Sequence, residues 1–523
     1  MKRLLAIVLC LCLALCGCAA PQGDPYTPTG NGLEYGPEYT GPQVTPGKDE
    51  SPKALSLPYY KEKTLNPYTC ADFTNRVLFS LLYQGLFSVD RNYTVQPQLC
   101  KSYTVSKDMK TYTFYLENAT FSDGAPVTAQ DVIASLNAAR ENSYYKGRFF
   151  HFKEISVSAD GGVAVNLNIP YEDLPILLDI PIVPAAQVAS NRPIGSGPYY
   201  LYSAPAGESL RKRGSWWCNA KLTVNADTIA LFPASSATHI RDQFEFADLS
   251  VACTDPGSDR YADYRCDFEL WECENGIFLY LGTSSNSNVF KNDKVRTALT
   301  HAVNRDSLVS EFYRGFARSA TLPASPLSPH YSQSLAQKYG YDSEKFAQAV
   351  KDAGLEGSEI IFLANSDDSL RLRVARTIAK MLEAGGLKVT MKELGGNAYV
   401  EALKAWNYDI YLGQTKLSPN MDLSAFFHTY GELSWGGVND VATYALCLQA
   451  LENHGNYFTL HKQVMDQGLI CPVLVRSYAI YTARGAVSNL TPARDNLFCY
   501  SMGKTLADAK LNSENEFHPP EKS

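Results

Sequence analysis

Apolar and polar residues alternate with a period of two over residues 112–116, where Tyr112, Phe114 and Leu116 are separated by Thr113 and Tyr115. That period predicts a strand with one buried face. Ser122-Asp123-Gly124 turns the chain, and Pro126 stiffens the residues after the turn. Thr128, followed by Asp131, predicts a capping-box start to a helix whose apolar face is Val132, Ile133, Leu136 and Ala139. Upstream, residues 55–60 read as a short strand, and residues 74–83 as a helix with Val77, Leu78, Leu81 and Leu82 on one face. Downstream, Asp160-Gly161-Gly162 marks a turn in a β-rich region. Pro198 followed by Tyr199, Tyr200 and Leu201 predicts a strand after Gly195-Ser196-Gly197. A phosphate-binding glycine loop would need a helix there instead.

Residues 276–287 form the next predicted strand. Asn292 caps a helix with Val295, Leu299, Ala302 and Val303 on its core face, and Gly315 ends the helix after it. Residues 343–412 then alternate regularly. A helix carrying Phe346, Ala349, Val350 and Ala353 stops at Gly354, and strand 360–363 comes next. Ser366 or Asp367 caps a helix with Leu370, Val374, Ile378 and Leu382 that stops at Gly385-Gly386. Strand 387–394, helix 399–406 and strand 408–413 complete the run, which predicts βαβ units and a largely parallel α/β lobe. A last strand near residues 471–484 is expected to lead back to the first lobe.

The N-terminus has a different character. Lys2 and Arg3 precede an apolar run over residues 4–15, the length of a signal-peptide core and too short to span a bilayer. It ends in Leu15-Cys16-Gly17-Cys18, which resembles a bacterial lipobox with Cys18 as the lipidated residue; an ordinary secretory signal is the alternative. Two or more acyl chains anchor stably where one does not. No later segment has the apolar length of a membrane span, so the lipid is the expected attachment. Residues 18–52 are rich in Pro, Gly, Thr and Tyr and read as a disordered tether.

With 523 residues the chain should hold two or three domains. A net charge of −7 with both signs interspersed argues against nucleic acid as a partner. The 33 tyrosines suit either an extracellular ligand surface or Tyr-rich strands. Beyond Cys18 the chain has Cys70, Cys100, Cys218, Cys253, Cys266, Cys273, Cys447, Cys471 and Cys499, an odd number that leaves at least one thiol unpaired. None has zinc-site spacing, so no metal is expected. Ser209 and Lys212 match the SxxK of penicillin-binding enzymes, but no KTG occurs and Ser209 lies in a strand-like segment. GxSxG and HExxH are absent.

Four stretches, in order, resemble the extracytoplasmic solute-binding proteins of family 5, the oligopeptide/dipeptide-binding components of ABC importers. They are the LNP segment with YQGLF (residues 65–87), the strand, turn and capped helix at residues 112–140, IGSGPYYL (residues 194–201), and KVRTALTHAVNRDSLVSEFYRG (residues 294–315). The resemblance implies an α/β, two-lobed type II periplasmic-binding-protein-like fold with an inserted β-rich subdomain in the first lobe. The expected division is a leader at 1–17, the tether at 18–52, lobe 1 at 53–280 with its insert at about 88–180, lobe 2 at 281–477, a return to lobe 1 at 478–510 and a tail at 511–523. It also implies a monomeric binding protein without cofactor or enzymatic activity, on the extracytoplasmic face of the cell membrane. Its expected partners are a peptide or peptide-like solute and the membrane subunits of a permease. The same fold taking an oligosaccharide or a metal chelate, or serving as a sensor or adhesin, is the alternative.

In the family a carboxylate in a GWxADYxDP motif captures the peptide's amino terminus. An ungapped match places Gln414 at the family's Trp and Leu417 at its Asp. The resemblance therefore points to Gln414, Thr415 and Lys416 as cleft residues. Asp422 is either a displaced ammonium partner or the N-cap of the apolar segment after it. Tyr68 and Asn286 lie in segments that approach the cleft in the family.

Overall fold

The alternation at residues 112–116 becomes the strand Thr111–Leu116, with Tyr112 and Phe114 wholly buried. The computed structural model describes residues 55–222, 224–257, 264–487, 489–494 and 496–500. The leader, Cys18, the tether and the tail at 511–523 lie outside the described residues. Thr111–Leu116 belongs to a four-stranded antiparallel sheet in the order Cys100–Val105, Thr111–Leu116, Val163–Leu167, Phe152–Val157. Helix Ala129–Arg140 starts with a full capping box: Thr128 Oγ1 accepts from the Asp131 amide, and the Thr128 amide donates to Asp131 Oδ2 at 2.8 Å. The other carboxylate oxygen of Asp131 accepts from the Ala185 amide at 2.7 Å, so the cap also ties the helix to the chain beneath it.

A second four-stranded sheet has the order Ser56–Tyr59, Thr228–Pro233, Gly207–Lys212, Tyr199–Ala204. Gly195 and Gly197 enter it against the helix that ends at Leu82: a Cβ on Gly195 would lie 2.0 Å from the Leu82 carbonyl oxygen. These glycines allow close backbone approach. Ser209 sits mid-strand in Gly207–Lys212. The helix expected at 74–83 is instead two short helices, Phe73–Arg76 and Phe79–Leu82, with Asp72 as the cap. The break is a local tightening: Val77 and Leu78 keep right-handed helical angles, and the Leu78 amide donates three residues back to the Asn75 carbonyl at 3.2 Å. Asn75 is wholly buried, and its amide exchanges hydrogen bonds of 2.7 and 3.1 Å with the Tyr60 backbone.

The third sheet has seven strands, and its central path is Val251–Thr254, Ile470–Thr482, Glu269–Thr283, Ile410–Lys416, Glu359–Asn365, Lys388–Leu394, with Ala317–Ser319 beside Ile470–Thr482. It is less parallel than expected. Glu359–Asn365 runs parallel to both of its neighbours, through the crossover helices Ser369–Ala384 and Gly396–Lys404, while every other pairing is antiparallel. Parallel pairing needs crossover connections such as these, and the two longest strands enter from distant parts of the chain. Asp368, one position beyond the expected caps, starts helix Ser369–Ala384; Asp367 instead accepts from the Gly396 amide at 2.6 Å.

The long strands Glu269–Thr283 and Ile470–Thr482 pair along most of their length, and the expected boundaries at 280 and 477 fall within them. Ile470–Thr482 is central to this sheet, and its C-terminal half also pairs with Val251–Thr254. Their register shifts between Glu274 and Phe278, where Gly276 has φ +70°. A Cβ there would meet the Arg494 guanidinium at 2.6 Å.

Candidate functional site

The end of strand Ile410–Lys416 meets this irregularity. The Leu417 amide donates to the Gly276 carbonyl at 3.0 Å, and Lys416 Nζ donates to the Asn275 carbonyl at 2.8 Å. Beyond it the chain continues, largely buried, into helix Ser424–Phe427. On the facing side helix Ala129–Arg140 ends, and the side chain of Asn142 accepts from the Tyr144 amide at 2.7 Å to turn the chain into Lys146–Phe149. Between residues 140–150 and residues 415–433 lies a cavity of about 570 Å³, to which Arg494 also contributes. That volume falls within the ordinary range of small-molecule sites.

Tyr144 joins the two walls. Its ring centre lies 3.6 Å from the Arg76 guanidinium carbon and 4.2 Å from Lys416 Nζ, which also donates to the Tyr144 hydroxyl at 2.9 Å. Below them Arg148 forms an ion pair with Asp179, with side chains 4% and 8% exposed. The cavity thus offers aromatic faces and fixed charges close together, a combination that holds a polar solute with apolar parts.

Of the residues singled out from sequence, Thr415, Lys416 and Asp422 come together on this cavity. The Asp422 side chain is 9% exposed and turned inward; it lies 3.3 Å from His151 Nε2 and accepts from the Ser424 amide at 2.8 Å. Burial pushes the Asp422 carboxyl up, but hydrogen bonding and charge from His151, with the bonds from Ser424, outweigh it and hold the group below its ordinary value. Asp422 bonds the first turn of the following helix from one position before its N-cap, Leu423. Leu417, at the place of the family's carboxylate, is buried, and its carbonyl accepts from Arg494.

Gln414, Asn286 and Tyr68 are not among the residues lining this cavity. Gln414 Oε1 accepts from Arg476 at 3.3 Å, and Arg476 pairs with Asp255 at 2.5 Å. Asn286 is exposed, and its amide donates to Ser284 Oγ at 3.2 Å. Tyr68 is buried, its hydroxyl donating to the Pro181 carbonyl at 2.7 Å, and burial raises its pKa. Sequence reasoning missed Arg140, Tyr144, Arg148 and Tyr430. A signal was present for the first three: residues 140–150 pack four aromatic and three basic side chains between a helix and a strand.

Three histidines gather around Tyr457. His330 stacks on Tyr457 at 4.0 Å and 12° and faces His454 at 4.6 Å, while His461 is wholly buried against the same tyrosine. Among the described residues, no group of three or more His, Cys, Asp or Glu side chains could hold a metal ion. The nine cysteines of the body are free thiols, and no described helix is long and apolar enough to cross a membrane.

The family described as bacterial extracellular solute-binding proteins, family 5 Middle, matches residues 94–437. The glutathione-binding protein GsiB of Salmonella typhi is 26% identical over 391 residues, covering 71% of this chain and 74% of the relative. Two solved structures share the fold. The ABC transporter substrate-binding protein CtaP of Listeria monocytogenes has a TM-score of 0.68 at 18% identity, covering 86% of this chain and 98% of that one. The oligopeptide-binding protein AppA of Bacillus subtilis, solved with a nonapeptide, has a TM-score of 0.59 at 19% identity, covering 87% and 100%. The profile match spans the capped helix, the glycine-seated strand and both walls of the cavity, and this chain belongs to the family 5 bacterial extracellular solute-binding proteins.

Proposed function

We propose that this protein is the lipid-anchored, extracytoplasmic receptor of an ABC importer, which takes a peptide or peptide-like solute into the cavity between residues 140–150 and 415–433 and delivers it to the permease. The observation that carries this reading is the cavity itself, whose walls come from segments far apart in sequence and meet at Tyr144 and Lys416. Movement of one wall against the other would open and cover a solute, as in hinge closure. Support for the peptide class comes from the glutathione-binding and nonapeptide-bound relatives. Support for the anchor comes from the leader ending at Cys18 and a tether whose root-mean-square reach is roughly 30 Å. Thr415, Lys416 and Asp422 are the proposed solute-facing residues of the second wall, Asp422 acting from its pair with His151.

One observation favours a second reading. Leu417 stands where the resemblance places the carboxylate for a peptide amino terminus, and its backbone is engaged by Arg494 and Gly276. A solute without a free amine, such as an oligosaccharide or a metal chelate, would suit that.

Native mass spectrometry followed by denaturation separates the two. A ladder of short peptide masses released from the purified protein is the expected result. No ladder, together with thermal stabilisation by glycans or chelates and none by peptide pools, would replace the first reading with the second. A solute at 100 times its Kd adds about 2.7 kcal/mol, enough to register. Cys18→Ala should move the protein from the membrane fraction to the soluble one; retention in the membrane would sink the anchor.

A further inference from the structure

Tyr430 lines the cavity yet is 88% exposed, more than any other large hydrophobic side chain among the described residues. It is nevertheless held. The Tyr430 amide donates to His428 Nδ1 at 3.2 Å, and the His428 ring packs edge-on against Phe150 of the opposite wall at 5.7 Å. On the other side Glu432 pairs with Lys146, again across the cavity. Gly431 seats the turn, since a Cβ there would lie 2.1 Å from the Ala425 carbonyl oxygen. The loop is therefore pinned on both sides of position 430, and the ring between the pins is left to water. The ring lies 5.9 Å from the His428 ring, and an aromatic carried on a pinned backbone with an uncovered face is a suitable anchor for a ligand.

Charge narrows what that ligand is. Five cationic side chains line the cavity against three acidic ones. Two of the acids are already engaged, Asp422 with His151 and Glu432 with Lys146, and two of the cations are engaged as well, Lys146 with Glu432 and Arg148 with Asp179. Arg140, half-buried at the end of its helix, donates to the Phe152 carbonyl at 3.3 Å and keeps further donors on its guanidinium. A carboxylate is the natural acceptor for that fork.

We propose that Tyr430 is the specificity-determining cover of the solute site, closing over an apolar side group of the solute while Arg140 receives its carboxylate. The proposal rests on the cavity being the solute site. It assigns the preferred solute as a short peptide-like carboxylate with an apolar or aromatic side chain.

The test is calorimetric titration of the full chain, purified in mild detergent, with three probes: Ala-Phe-Ala, its C-terminal amide, and Ala-Ala-Ala. Wild type should prefer Ala-Phe-Ala to both others. Tyr430→Ala should weaken Ala-Phe-Ala at least about ten-fold, roughly 1.4 kcal/mol, and abolish its advantage over Ala-Ala-Ala. Tyr430→Phe should retain that advantage. Arg140→Gln should abolish the preference for the free carboxylate over the amide. Phe246→Ala, exposed and away from the cavity, is the control and should bind as wild type. Wild-type binding that Tyr430→Ala leaves intact overturns the proposal and spares the function. Failure of wild type to bind any probe overturns the peptide reading and this proposal with it.

Discussion

Acidification should weaken this protein through His461 and His330. His461 is wholly buried, neither ring nitrogen has a hydrogen-bond partner, and burial pushes its pKa down to about 3. His330, stacked on the same Tyr457 ring, is also pushed down to about 3, by burial first and then by repulsion from His454 and His461. Glu172 lies beside His454, at 3.7 Å, and Asp173 and Asp422 act on Tyr457. In an unfolded chain both imidazoles titrate near 6.5. Between pH 6.5 and about 3 the unfolded chain therefore binds more protons than the folded one. The stability contribution is full above pH 6.5, falls as pH falls, and stops falling near 3. At pH 5, about 1.5 below the unfolded value, each imidazole should cost about 2 kcal/mol at roughly 1.36 kcal/mol per pH unit. That is a large share of a typical folding free energy of about 5–15 kcal/mol.

His461→Phe keeps a ring against Tyr457 and removes one of the titrating groups. Urea unfolding at pH 7.5 and 5.0 should show the stability difference between the two conditions shrinking by about 2 kcal/mol in the variant. Hydrogen exchange of helix Tyr457–Asp466 should report the same change locally. An unaltered pH slope in the variant would refute the argument, whatever the substitution did to stability at neutral pH.

Three further outcomes are expected from local geometry. Thr128→Ala removes the hydroxyl that caps helix Ala129–Arg140 and should cost about 1 kcal/mol in urea unfolding. Arg148→Met leaves the buried Asp179 carboxylate without its guanidinium and should cost about 3–5 kcal/mol, read as a lowered Tm, with much of the loss recovered by adding Asp179→Leu. Gly195→Ala drives a Cβ into the Leu82 carbonyl and should cost more than about 4 kcal/mol, appearing as insoluble protein; Gly214→Ala, with nothing within 4 Å, should stay within about 0.5 kcal/mol of wild type.

What the sequence determined by itself was local. The Thr128–Asp131 cap, the buried face of Tyr112 and Phe114, the strand after Gly197 and the helix stops at Gly354 and Gly385 all depend on a residue and its neighbours within a turn or two. Capping chemistry and side-chain period act over that range, so they can be read from a string of letters. The resemblance extended this to the two-lobed fold, because family motifs record many such local choices in order.

The cavity belongs to the other class. Tyr144 and Lys416 meet across 272 positions, and His151 and Ser424 across 273. Asp422 shows the difference most plainly: its place ahead of an apolar helix suggests a cap, but only the packed structure sets His151 against it. Asn75 is a second case, its buried side-chain amide being claimed by the Tyr60 backbone. Such contacts form where separately folded segments are pressed together, and the free energy that selects them comes from burial and from satisfying polar groups there. Neither has a signature in local order, so only the tertiary structure decided which side chains line the cavity.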